Sequence, residues 1–153
     1  SRWLRERLTP AGLALAGLAG FAAAFGLDTQ SNLAHGLFAI GARLLPAAPK
    51  PDGTAPTSLS PDDYMTRSND RLVKDGFFER EVASRTEAFG TIMHVFSTYE
   101  SRRAKADEKP FARGINSIQL MQHGGRWWIV TVMWDSERPD NPIPAKYLEA
   151  KLP

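Results

Sequence analysis

The spacing of apolar positions changes character along this chain. Up to residue 45, Ala, Gly and Leu crowd together without strand-like alternation, whereas beyond Gly76 apolar and polar positions alternate through long segments. Thr9-Pro10 supplies an N-cap and a first-turn proline, so a helix is predicted from there to Gly26, whose lack of a side chain suits a helix stop. Asp28-Thr29-Gln30-Ser31 offers a second start, and a second helix is predicted over residues 32–45. The prolines of PAAPKPDGTAPTSLSP, from Pro46 to Pro61, lack donors and restrict the residues before them, so 46–60 reads as a connector. Ser60-Pro61-Asp62-Asp63 then starts a helix that should end near Asp75 at Gly76, with Tyr64, Met65 and Leu72 near one face.

Four strand-like segments follow, over residues 77–89, 91–103, 111–123 and 126–135. Gly90 and the pair Gly124-Gly125 mark hairpin turns, and the polar run 104–110 joins the middle two, which gives an antiparallel meander. Gly114 inside a strand is expected to mark a bulge or bend, and so a strongly curved sheet enclosing a hollow. In the last strand Trp127, Ile129, Thr131 and Met133 alternate with Trp128, Val130, Val132 and Trp134. Both faces would then be apolar: one holds the helices and a pocket, and the other meets a second subunit, so a homodimer is expected.

Composition narrows the function. The 153 residues suit a single domain (helical 1–45, connector 46–60, helix plus meander 61–153), and 42% apolar with 24% charged residues is ordinary for a globular protein. Nineteen basic against seventeen acidic side chains leave +2, with the signs interspersed, so no basic stripe points to nucleic acid. The absence of cysteine removes disulfides, thiolate metal sites and cysteine nucleophiles. His35, His94 and His123 show no ligand spacing, so neither a metal nor another cofactor is expected. Residues 11–27 carry no charge and follow the basic RWLRER, which raises a membrane-associated alternative through residues 11–45. Their Ala and Gly content, and the interruptions at His35 and Arg43, favour a buried helix and a cytoplasmic protein.

The stretches GFFEREVASRTEAFG, HVFSTYESR, FARGINSIQL, GRWWIVTVMWDSE and the terminal NPIPAKYL resemble bacterial members of the nuclear-transport-factor-2-like (NTF2-like, SnoaL-like) superfamily, which includes ketosteroid isomerases, scytalone dehydratases and polyketide cyclases. The resemblance covers roughly residues 57–152. LFAIGARLLPA looks like that family's helix-to-strand entry, while the preceding Ala/Gly-rich segment departs from it. The resemblance implies an α+β cone, with N-terminal helices packed on a strongly curved antiparallel sheet. It also implies a cavity that binds a small apolar molecule or, as the alternative, hosts cofactor-free isomerase or dehydratase chemistry by acid and base groups.

Polar residues on the strands are the candidates for that cavity: Glu79, Glu81, His94, Tyr99, Arg113, Asn116 and Gln119, with Asp135 at the rim. The ligand-binding set chosen from them, with an aromatic wall added, is His94, Tyr99, Arg113, Asn116 and Trp134; no catalytic residue is assigned. Strand alternation sets His94, Phe96 and Thr98 opposite Val95, Ser97 and Tyr99, and Arg113 opposite Asn116, so these candidates do not all share a face. Arg113, flanked by Ala112 and Gly114, needs a carboxylate partner, expected from Glu79, Glu81 or Glu100.

Overall fold

The computed structural model describes residues 38–149, the side chains of Asn69 and Asp70 excepted. The helix expected over residues 9–26 lies outside them. The elements are β1 (Phe38–Pro46), α1 (Pro61–Asp75), β2 (Phe78–Phe89), β3 (Ile92–Arg102), β4 (Ala112–His123), β5 (Arg126–Ser136) and a short 3-10 turn, Ala145–Tyr147. The strands form one sheet in the order β1-β5-β4-β3-β2. Among the described residues no helix is long and apolar enough to cross a membrane.

Local signals account for α1. Ser60 accepts from the Asp63 backbone N–H at 3.1 Å while the Asp63 carboxylate accepts from the Ser60 N–H at 3.3 Å. This reciprocal pair, with Pro61 in the first turn and Gly76 at the end, fixes both limits of the helix. The meander also follows its turn chemistry. Gly124 and Gly125 adopt φ of 60° and 75°, the double left-handed conformation that a tight hairpin between β4 and β5 requires.

Three expectations are corrected. Residues 38–45 are not helical: they form an edge strand that runs parallel to β5, pairing Leu44 with Val132 and Pro46 with Trp134. The sheet is therefore mixed rather than wholly antiparallel. Helix propensity in this Ala/Leu-rich run is outweighed because alternate residues Ala42 and Leu44 bury completely while Gly41 and Arg43 stay exposed. Gly114 marks no bulge, since its pairings run without a break. It is glycine because the Tyr99 hydroxyl and the Asp135 carbonyl occupy the space a side chain would need. The register shift in the β4–β5 ladder falls instead between Gln119 and Leu120, where Val130 is passed over. Trp127 and Ile129 therefore lie on the same face as Val132 and Trp134, and the strict alternation read along β5 fails. A second shift passes over Val82 in β2.

The connector completes the β1 edge. Leu44 and Leu59 exchange backbone hydrogen bonds of 2.9 and 3.0 Å, which cap the outer side of β1 with a single antiparallel bridge. Leu59 joins the core cluster with Phe38, Leu44, Val95, Ile118 and Val132, against which Tyr64 and Met65 of α1 pack. This defines a helix-side face of the sheet. On the opposite face the C-terminal segment doubles back: Thr98 Oγ1 donates to the Tyr147 carbonyl at 2.6 Å and Arg85 Nε donates to the Lys146 carbonyl at 2.8 Å. The Tyr147 ring lies on Phe96, with centroids 5.4 Å apart. The tail-side face is thus partly covered by the chain itself.

Candidate functional site

Register places the helix-side residues in rows across the sheet, and the rows change chemistry along the strands. At one end Val95, Ile118, Val132 and Leu44 align, followed by Met93, Leu120 and Ile129. At the other end the rows are polar: Glu79 faces Ser101, Glu81 faces Tyr99, which faces Gly114, and Ser97 faces Asn116, which faces Trp134. The strand positions on this face carry no Lys, Arg or His among the described residues. Arg103 and Arg138, just past the strand ends, are engaged elsewhere, on the Phe111 ring and on Asp135.

Glu79 is the centre of the polar end. Ser101 Oγ donates to Oε2 at 3.1 Å and Asn116 Nδ2 donates to Oε1 at 3.3 Å, so each carboxyl oxygen is held from a different strand. Loss of hydration disfavours the charged form and raises its pKa to about 7, against the pull of these two donors. Glu81, two residues on, is raised for the same reason while accepting from Ser97 Oγ at 2.5 Å.

Two phenols complete the cluster. Tyr99 is buried, with its hydroxyl 3.2 Å from Ser136 Oγ. Its pKa is raised first by burial and further by the charges of Glu79 and Asp135. Tyr64 reaches the same space from α1, its ring edge-on to Trp134 at 5.6 Å. Burial raises Tyr64 too; a hydrogen bond from Ser68 opposes the shift, and Glu79 adds to it. Both phenols feel the Glu79 charge, which places the three groups in one electrostatic neighbourhood.

The structure divides the five ligand-binding candidates. Tyr99, Asn116 and Trp134 are together on the helix-side face. His94 and Arg113 are on the tail-side face. His94 Nε2 is 2.9 Å from Ser117 Oγ and its ring packs edge-on against Phe96. Arg113 pairs with none of the expected carboxylates: its Nε lies 3.5 Å from Glu137. Glu79 and Glu81 lie on the other face, and Glu100, although opposite Arg113 in register, is held by Arg80 and Arg102 at 3.0 and 2.9 Å. Asp135 accepts from Arg138 at 2.7 Å and from Asn141, anchoring the start of the tail. Sequence reasoning named Glu79 but left it out of the binding set, and it missed Tyr64 and the serines. The alternation that puts Glu79 opposite Ser101 was readable, but which face mattered was not.

A cleft of about 350 Å³ opens on the tail side, floored by Phe96, Ile115 and Met133 and walled by Pro142, Ile143 and Pro144. Its carboxylates, Asp135 and Glu137, are already occupied by Arg138, Asn141 and Arg113. It therefore offers shape without available chemistry, and the helix-side polar cluster is the better candidate site. Among the described residues no group of three or more His, Asp or Glu could hold a metal ion.

No protein-family model matches the chain, and a search of curated proteins gives no match. Solved structures do. An NTF2-like protein of unknown function from Pseudomonas putida superposes with a TM-score of 0.55 at 14% identity, covering 97% of this chain and 89% of that one. A protein of unknown function with a cystatin-like fold from Nostoc punctiforme gives 0.54 at 9% identity over 90% and 89% of the two chains. A Shewanella frigidimarina protein provisionally named a ketosteroid isomerase gives 0.50 at 16% identity over 79% and 97%. Likeness at this level speaks for architecture alone: a five-stranded mixed sheet with a helix on one face, in a chain that carries the NTF2-like, cystatin-like fold.

Proposed function

We propose that the helix-side face binds a small, mainly apolar molecule whose one polar group is received by Glu79. The observation that carries this reading is the Glu79 carboxyl, held at both oxygens by Ser101 and Asn116, at the polar end of a face whose opposite end is aliphatic. Such a division, with apolar walls for affinity and a few fixed polar atoms for orientation, is the usual makeup of a small-molecule site. Tyr99, Asn116 and Trp134 are its proposed lining, joined by Tyr64. Native mass spectrometry of the protein purified from cell extract tests it. A bound small molecule that is lost in Glu79→Gln supports the reading, and a wild-type protein that stays empty and takes up no apolar probe sinks it.

A second reading, cofactor-free isomerase or dehydratase chemistry, is favoured by the ionisation of Glu79 near neutrality. A general base works best when its pKa is close to the ambient pH, and Tyr99 or Tyr64 could donate to an oxygen on which charge develops. Proton NMR in D2O is the test, with a cyclic ketone as probe. Deuterium exchange next to the carbonyl that disappears in Glu79→Gln supports proton transfer. Exchange at the buffer rate in the wild type leaves the binding reading alone standing.

A further inference from the structure

The two edges of the sheet are finished differently. The β1 edge is short of donors at Pro46 and is sealed by the Leu59 bridge. The β2 edge runs for 12 residues with neither Lys nor Pro, and no ladder partner lies on its outer side among the described residues. Its unpaired N–H and C=O groups can recruit another strand, and the devices that blunt it, the offset at Val82 and the charges along it, have to be accommodated by any partner that pairs there. Two large apolar side chains also stand exposed near its ends, Phe78 at 40% and Phe89 at 83%.

We propose that β2 is an interaction surface for a second copy of this chain, two β2 strands pairing antiparallel about a twofold axis that passes between Ala83 and Ser84. The sequence FEREVASRTEAF carries Phe at both ends, and two residues in from each end stand residues of opposite charge, Arg80 and Glu87. In this register Phe78 lies opposite the partner subunit's Phe89, and Arg80, which holds Glu100 of its own chain yet keeps most of its side chain exposed, lies opposite the partner subunit's Glu87. By symmetry each pairing occurs twice.

The faces agree as well. The register of β2 against β3 puts Phe78 and Arg80 on the tail side together with Glu87 and Phe89, because the shift at Val82 reverses the alternation between the two halves of the strand. Without that bulge, the same register would set each residue against one pointing the other way. The bulge itself sits at the axis, so the pairing rests on two four-residue arms, 78–81 against 86–89. Opposite charges and aromatic pairs directly across a ladder each contribute a few tenths of a kcal/mol to about 1 kcal/mol, while like charges there are destabilising. On the helix side, the same register sets the partner subunit's Ala88 beside Glu79 and the partner subunit's Thr86 beside Glu81, so the second copy walls the polar end of the sheet. This interface is a different surface from the sheet face on which the homodimer was expected.

Sedimentation of the full chain across a range of concentrations tests the proposal. The wild type should form a dimer, and Arg80→Glu and Glu87→Arg should each weaken it by roughly tenfold or more, since each sets two like-charge pairs across the axis. Mixing the two variants in equal amounts should restore the dimer, because in the mixed pair both contacts become opposite-charged. That recovery cannot come from a variant that has merely lost its fold. A monomeric wild type, a dimer indifferent to both variants, or a mixture that fails to re-associate would each overturn it.

Discussion

The two ends of the helix-side face show opposite uses of burial. At the aliphatic end Leu44, Val95, Ile118 and Val132 meet across adjacent strands at no more than 3% exposure, and nothing there needs a partner beyond contact. At the polar end Ser97, Ser101, Asn116 and Tyr99 are equally sequestered, but every one is committed to a hydrogen bond, and the carboxyl they surround is destabilised in its charged form. One end stores stability while the other spends it on placing polar atoms where water is scarce.

That contrast predicts a ranking. Leu44→Ala, in the fully buried row, should cost about 3 kcal/mol in urea unfolding, the usual range for emptying a packed aliphatic site. If it costs under 1 kcal/mol, the aliphatic end is not the source of stability. Gly114→Ala should cost roughly 2 kcal/mol and displace the Tyr99 hydroxyl, visible as a changed Tyr99 titration by ultraviolet difference spectroscopy, because the added methyl collides with that hydroxyl and a backbone carbonyl.

Glu79→Gln reads the polar end directly. The folded pKa of about 7 lies above the ordinary glutamate value, so between those two values the folded state holds the proton more tightly than the unfolded one. Stability is therefore full below about pH 4.5, falls as pH rises through 7, and is flat beyond. Full conversion would give about 3 kcal/mol, and because Glu79 is only half-buried, screening should reduce this to roughly 1–2 kcal/mol. The Gln variant should lose the slope and be more stable than the wild type at pH 8; a persisting slope would point to another group. The smallest effect is expected of Tyr99→Phe, about 1 kcal/mol from the lost Ser136 contact, with ligand retention changed more than stability.

Much of the fold could be read wherever the determining chemistry is local. Ser60 and Gly76 delimit α1, and Gly124-Gly125 closes its hairpin, because caps and tight turns are set by neighbouring residues. β1 was misread because its strand character is conferred by β5, more than eighty residues away, while its own composition suits a helix. The Val130 offset could not be seen in an apolar strand where either phase of alternation looks sound. The site was half readable for a related reason. Alternation separated Tyr99 from His94 and Asn116 from Arg113 within their strands, but all entered one set with Trp134 because polar residues occupy both faces and only the position of α1 decides which face encloses anything.

The tail has a consequence for how this chain can vary. Thr98 and Arg85 grip the carbonyls of Tyr147 and Lys146, atoms that every amino acid supplies, so the lock does not depend on which side chain position 146 carries. Drift at that position should leave the strap in place, whereas changes at Thr98 and Arg85 would loosen it from the sheet however well the tail's own sequence were preserved.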